Sequence, residues 1–164
     1  MQPIRVVLAG ATGKVGQVIA RAVAQEPGFV LAGALAREGV GRNLAELVNL
    51  GGRPGPLIHG SLEEFRATGA QADVLVDFTA AAAARRTIPA AIAAGIAPVV
   101  GTTGFAPGEV EAWAEACRKR GLGGAFIANY AVGMMLLMRF AEEARRFFPD
   151  VEIIEMHHKT KLDA

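Results

Sequence analysis

The sequence is poor in the residues that most often announce a special chemistry. Its 164 residues include one cysteine, one tryptophan, one tyrosine and three histidines. A lone Cys117 closes no intrachain disulfide, which suits a reducing, cytoplasmic setting and gives no framework for a small secreted fold. Charge of one sign is also lacking, since 17 basic residues face 16 acidic ones for a net charge of +1. Without a basic block or stripe there is no electrostatic footprint for nucleic acid or an anionic membrane. Long apolar runs are absent too. Ile4 to Ala9 is far too short for a bilayer span and lacks the build of a signal peptide, and the 79–94 tract is interrupted by Arg85, Arg86 and Pro89. What remains is 52% hydrophobic and 20% charged, an ordinary globular composition with length for one domain and its core.

Apolar runs of strand length alternate with segments of helical length, the pattern of βαβ units and a parallel sheet. The spacing predicts strands at about 4–9, 29–34, 56–59, 73–78, 96–100 and 124–128, and helices at about 14–25, 107–120 and 133–148. The alanine-rich 79–94 tract reads as a helix that Pro89 kinks or restarts. Residues 37–53 read as a glycine-punctuated loop with a short helix, and Ser61 with Glu64 fits a capping box. Met and Leu recur at helical spacing in 133–148 and are expected to fill a core. Pro149 should end that helix, with a further strand begun over 151–156. The fold class is therefore α/β, a doubly wound parallel sheet of Rossmann type.

Gly10-Ala11-Thr12-Gly13-Lys14-Val15-Gly16 falls between the first strand and the first helix. One glycine allows the tight turn, a second lets the backbone approach a pyrophosphate, and a third lets helix and strand pack closely. Phosphates would then meet the free N–H groups and positive dipole end of the helix. The alternative is a glycine-rich turn without a ligand. At the end of the second strand, where an acid would accept a bond from a ribose 2′-hydroxyl, the chain has Ala36 and Arg37. Arg37 can pair with a 2′-phosphate, and Lys14 can add a second positive charge. This favours NADPH over NADH, although Arg37 could be a solvated loop residue and the adjacent Glu38 could serve instead.

Three more strands end in unusual sequences: Asp77-Phe78-Thr79, Gly101-Thr102-Thr103-Gly104-Phe105 and Ala128-Asn129-Tyr130-Ala131-Val132-Gly133. In a parallel sheet all lie on the edge of the glycine turn, where ligands bind. Each alone could be turn chemistry; together they describe a crevice. The clustered ionisable group is Glu155-Met156-His157-His158-Lys159-Thr160-Lys161. Adjacent histidines without a cysteine cluster make a poor zinc site, so no metal is expected. Acid-base chemistry is a better use, a histidine titrating near neutrality and a lysine facing a carboxylate or giving a proton. A polar strand end on a solvated face is the plain alternative.

GATGKVG, VDFT, GTTGF, ANYAVG and EIIEMHHKTKLDA, in this order, resemble the 4-hydroxy-tetrahydrodipicolinate reductase (dihydrodipicolinate reductase) family over residues 4–164. The resemblance implies NAD(P)H-dependent reduction of a cyclic dicarboxylate, 4-hydroxy-tetrahydrodipicolinate, to tetrahydrodipicolinate on the diaminopimelate route to lysine. It implies that Gly10, Ala11, Thr12, Gly13, Lys14 and Val15 hold the pyrophosphate, with Ala36 and Arg37 at the 2′-phosphate. Gly101, Thr102, Thr103, Ile127, Ala128, Asn129 and Tyr130 would line the nicotinamide half. His157 would be the acid/base, His158 a substrate-carboxylate contact, and Lys161 a proton donor or carboxylate partner. Ala36 stands where the family often has an acid, and Tyr130 and Ala131 where it has Phe and Ser. The implied organisation is a dinucleotide-binding domain over 1–130 and the start of an α+β substrate and oligomerisation domain over 131–164. The family continues beyond Asp163-Ala164 into a carboxylate-binding loop and that second domain, and assembles as a homotetramer. The 164 residues alone are therefore expected to bind cofactor and to turn over substrate weakly or not at all.

Two other readings share the glycine turn. A short-chain dehydrogenase wants a Tyr and a Lys four residues apart, but Met134 stands four residues after Tyr130. A non-catalytic NADP sensor has no need of the His-His-Lys cluster.

Overall fold

The structure, a computed structural model, describes residues 2–148 together with Asp150, Glu152 and Ile154. Its backbone divides into two compact units, Met1–Ala128 and Asn129–Ala164. The first unit contains β1 (Ile4–Ala9), α1 (Lys14–Gln25), β2 (Phe29–Leu35), a single 3-10 turn (Leu44–Glu46), β3 (Ile58–His59) and α2 (Leu62–Ala67). It continues through β4 (Val74–Asp77), α3 (Ala81–Ala93), β5 (Ala97–Val100), α4 (Glu109–Lys119) and β6 (Ala125–Phe126). All strand pairs are parallel, in the order β3-β2-β1-β4-β5-β6. The chain winds outward from β1 to β3, then crosses back to start the other half at β4. The reversal leaves a switch point between β1 and β4, where such sheets bind ligands at the carboxyl ends of their strands.

Side chains that alternate along the strands explain why helices cover both faces. Val7, Ala9, Leu35 and Leu75 pack with Leu62 and Phe65 of α2 and Ala91 of α3. Their neighbours Leu8 and Ala34, with Ile58, point the other way, onto Ala20 of α1 and onto Leu44, Val48 and Leu50. A third cluster joins Ala84, Ile88 and Ile92 of α3 to Val100 and to Cys117 of α4. Full burial of an aromatic or branched side chain of this size contributes about 1.5–3 kcal/mol. In β2 the register against β1 slips between Val6 and Val7, so Ala32 has no partner and Gly33 comes beneath the ring of Phe65.

The elements expected up to residue 148 are present, with differences at their ends. The capping box forms, Ser61 Oγ accepting the Glu64 N–H at 3.1 Å, but the Glu64 carboxylate reaches back to Gly60 N–H at 2.8 Å. The proline at 89 does not restart its helix, since α3 runs through it. Pro89 and Arg85, whose carbonyl loses its usual donor, are both exposed, so water can take that carbonyl. Helix α4 begins at Glu109 and not at Pro107, because Gly108 takes a left-handed φ of 87° that a helix does not hold. In the second unit α5 (Val132–Ala144) buries none of its residues, and Met135 and Met138 are half exposed. The core-filling expected of them is not seen among the described residues. The strand expected over 151–156 lies largely outside the described residues, and Glu152 and Ile154 are not in a strand. Among the described residues no helix is long and apolar enough to cross a membrane.

At the amino edge of the sheet Arg5 and Asp73 clamp β1 to the start of β4. The guanidinium donates to both carboxylate oxygens, at 3.0 and 2.6 Å, and Arg5 N–H adds a third bond at 2.8 Å. These bonds hold the Asp73 carboxyl down to about 2. Because the folded value lies below the unfolded one, the clamp's contribution is complete above about pH 4 and fades as pH falls toward 2. Urea midpoints of Asp73→Asn should therefore lie below those of the parent at pH 7. The gap should narrow as pH falls toward 2 and close only below it; a gap that stays at its pH 7 size down to pH 2 would contradict the assignment.

Candidate functional site at the carboxyl edge

Where β1 passes into α1, two contacts leave no space for a side chain. Gly10 has a φ of 82°, and a Cβ on it would overlap the carbonyl of Phe78 at the end of β4. A Cβ on Gly16 would overlap the carbonyl of Gly10. The turn is thus pressed against its neighbour strand and its own helix, as the first and third glycines were expected to allow. Gly13 precedes α1 without a side-chain cap, and the first turn of α1 contains no acid. Among the described residues no acceptor takes the N–H groups of Lys14, Val15 or Gly16. These donors and the dipole end of α1 face the edge together. Ala11 is fully buried and its N–H donates to the Leu35 carbonyl at 3.3 Å, whereas Lys14 and Arg37 are exposed and form no ion pair with a described residue. Ala36 is fastened through its N–H to the His59 carbonyl at 3.1 Å, which fixes where Arg37 emerges beyond β2.

Asp77 closes β4 and is fully buried. Its Oδ1 accepts from the Thr102 hydroxyl at 2.6 Å, the Thr79 hydroxyl at 2.8 Å and the Thr79 N–H at 3.1 Å. Thr102 Oγ1 also accepts from Thr79 N–H at 2.9 Å. One carboxylate oxygen therefore ties the loop after β4 to the loop after β5. Oδ2 has no partner among the described residues. A buried oxygen left bare costs about 1–3 kcal/mol. The Phe78 ring lies against Gly101, where a Cβ would strike it, and Gly101 N–H donates to the Asp77 carbonyl at 2.9 Å. Thr102 spends its hydroxyl on this bracing and can serve a ligand through its backbone, while Thr103 is exposed.

At the next strand Ile127 N–H donates to the Val100 carbonyl at 2.9 Å, which carries Ile127 and Ala128 to the same edge. Asn129 and Tyr130 fall in the second unit, where Asn129 Oδ1 accepts from Ala131 N–H at 2.8 Å. His157, His158 and Lys161 lie outside the described residues. An open depression of about 300 Å³ at the amino edge, lined by Arg5, Gln71 and Ile96 among others, contains none of the expected site residues.

The sequence reading missed a set of residues beneath the 101–105 loop. Arg85 of α3 pairs with both oxygens of Glu109, at 2.8 and 2.9 Å, and donates to the Gly104 carbonyl at 3.1 Å. Phe105 meets Trp113 edge to face, with ring centroids 4.9 Å apart. Nothing in the spacing of an arginine and a glutamate 24 residues apart signals this contact.

A parallel sheet wound to both sides of a switch point, with a bare helix N-terminus over a glycine turn, defines a Rossmann-like nucleotide-binding domain. The family model described as dihydrodipicolinate reductase, N-terminus, matches residues 4–130, and the chain belongs to that family. It is 83% identical over 164 residues to the 4-hydroxy-tetrahydrodipicolinate reductase of Symbiobacterium thermophilum, covering all of this chain and 65% of that protein. To the reductase of the same name from Thermosynechococcus vestitus it is 42% identical, covering 99% of this chain and 59% of the relative. Among solved structures, a dipicolinate-bound dihydrodipicolinate reductase from Paenisporosarcina sp. TG-14 superposes with a TM-score of 0.74 at 33% identity. That match covers 99% of this chain and 61% of the other. The chain thus spans less than two thirds of the length of these relatives.

Removing the tie between the two loops tests the bracing role of Asp77. Asp77→Ala should lower unfolding stability by about 3 kcal/mol, the scale of a broken buried network, when measured in urea. Thr102→Val, which removes one partner, should cost about 1 kcal/mol. Equal and negligible effects would show that the buried carboxylate braces nothing.

Proposed function

We propose that the chain takes part in NAD(P)H-dependent reduction of 4-hydroxy-tetrahydrodipicolinate to tetrahydrodipicolinate, on the diaminopimelate route to lysine. The observation that carries this reading is the carboxyl edge at the β1/β4 switch point. There the unclaimed N–H groups of α1 stand beside a turn with no room for side chains at Gly10 and Gly16. A pyrophosphate fits this donor set, and family membership supplies the reaction class. Gly10, Ala11, Thr12, Gly13, Lys14 and Val15 would hold the pyrophosphate, with Arg37 on the 2′-phosphate beside Ala36. Gly101, Thr102 and Thr103, with Ile127, Ala128, Asn129 and Tyr130, would line the nicotinamide half. When bound, the cofactor supplies the hydride.

The chain's own part is to orient and to move a proton. Backbone groups of the 101–105 loop would hold the carboxamide of the bound cofactor. In the overall reaction the substrate takes up a hydride and a proton and its 4-hydroxyl leaves as water; His157 would exchange the proton, His158 would face a substrate carboxylate, and Lys161 would hold the second carboxylate or share the proton. The dipicolinate in the name of the Paenisporosarcina structure supports a cyclic dicarboxylate as ligand. Assembly as a homotetramer belongs to the same reading.

NADPH is the preferred cofactor in this proposal, because no acid stands at Ala36 and Arg37 is exposed, with no ion pair to a described residue. Arg37→Ala should weaken NADPH binding by about tenfold, the scale of a lost charged hydrogen bond, and leave NADH nearly unchanged. Equal loss for both, measured by titration of cofactor fluorescence, would remove Arg37 from the 2′-phosphate.

The reaction itself is tested by following NADPH consumption with substrate made freshly from pyruvate and aspartate semialdehyde by the preceding enzyme. The chain is assayed both alone and extended at its C-terminus with the remaining segment of the Symbiobacterium thermophilum relative. Turnover that His157→Gln abolishes while NADPH affinity persists is the expected result. Bound NADPH without turnover in either form would favour the sensor reading.

A further inference from the structure

We propose that Arg85 and Glu109 are positioning residues for the nicotinamide half of the cofactor, acting through the loop between β5 and α4. The inference rests on the cofactor reading above and adds two residues that the resemblance does not assign. The loop enters from β5 braced by Asp77, but beyond Thr102 that bracing ends. Gly104 then turns with a φ of 83°, and Thr103 and Gly104 are exposed. What holds this stretch is the pair beneath it. Arg85 Nη2 donates to the Gly104 carbonyl at 3.1 Å, and the guanidinium lies 6.0 Å from the centroid of the Phe105 ring. The same guanidinium grips both oxygens of Glu109, and Glu109 Oε2 accepts the N–H of Ala106 on the far side of Phe105.

The geometry separates this from an ordinary surface ion pair. Position 85 must donate to a carbonyl and position 109 must accept from an N–H, so the loop reads the direction of the pair and not only its opposite charges. A planar fork suits the task, because it fills both oxygens of Glu109 and keeps a hydrogen for Gly104. The loop hangs from α3 on one side and from the first residue of α4 on the other. Losing Arg85 removes the donor to Gly104 and the grip that orients Glu109, and losing Glu109 removes the acceptor of the Ala106 N–H and the grip that orients Arg85, so either loss slackens the backbone groups proposed to face the carboxamide.

The test compares NADPH with adenosine 2′,5′-bisphosphate, which carries the adenosine half alone. Arg85→Ala and Glu109→Gln should each weaken NADPH by about fivefold, near the upper end for a partly exposed bidentate pair, and leave the bisphosphate unchanged. The exchange of Arg85→Glu with Glu109→Arg restores opposite charges but reverses donor and acceptor, so it should bind NADPH as poorly as the single variants. Unchanged NADPH affinity, equal weakening of both ligands, or rescue by the exchange would each overturn the proposal. A parent chain that binds neither ligand would instead sink the cofactor reading. Hydrogen exchange at the Ala106 amide then decides the clamp by itself: faster exchange in Arg85→Ala upholds it, and an unchanged rate ends it.

Discussion

The turn from β1 into α1 is made where no side chain fits. Gly10 backs onto the carbonyl that ends β4, and Gly16 backs onto the carbonyl of Gly10. Helix, turn and two strands are therefore in backbone contact at one point. That closeness brings the start of α1 over the gap between β1 and β4 and leaves its first N–H groups facing outward. The rest of the edge is arranged around this point. The β4 loop stands against Gly10, the β5 loop hangs from the β4 loop through Asp77, and Arg37 leaves β2 from the strand on the other side.

The two edges of the sheet are stabilised by different chemistry. At the amino edge an exposed bidentate pair, Arg5 and Asp73, joins β1 to β4, and solvent moderates what it contributes. At the carboxyl edge the corresponding join is a buried carboxylate surrounded by hydroxyls. Burial makes that join directional and intolerant of substitution, which suits an edge whose backbone must be held ready for a ligand.

Much of this was legible from the sequence because it depends on local pattern. Strand-length runs such as Ile4–Ala9, a glycine turn before Lys14, and Ser61 with Glu64 each carry their own physical reason. The common edge of the loops followed from parallel strands alone. Element ends were less legible because single residues decide them: Gly108 shortens α4, and solvent exposure lets α3 run through Pro89. The pairing of Arg85 with Glu109, and the threefold use of Asp77 Oδ1, depend on which loops the fold brings together. No periodicity records that. The histidines and the lysine of the 155–161 segment were read from their chemistry, and their roles rest on the resemblance.

Cys117 gives this domain a chemical reporter of its own breathing. Its thiol is packed with Ile88, Ile92 and Val100 under α4, and burial raises its pKa. Only an exposed thiolate reacts readily with an alkylating reagent, so modification of this buried side chain waits for the packing around it to loosen. Because α4 also begins at the residue that anchors the 101–105 loop, the labelling rate of a single natural cysteine measures how often that side of the crevice comes apart.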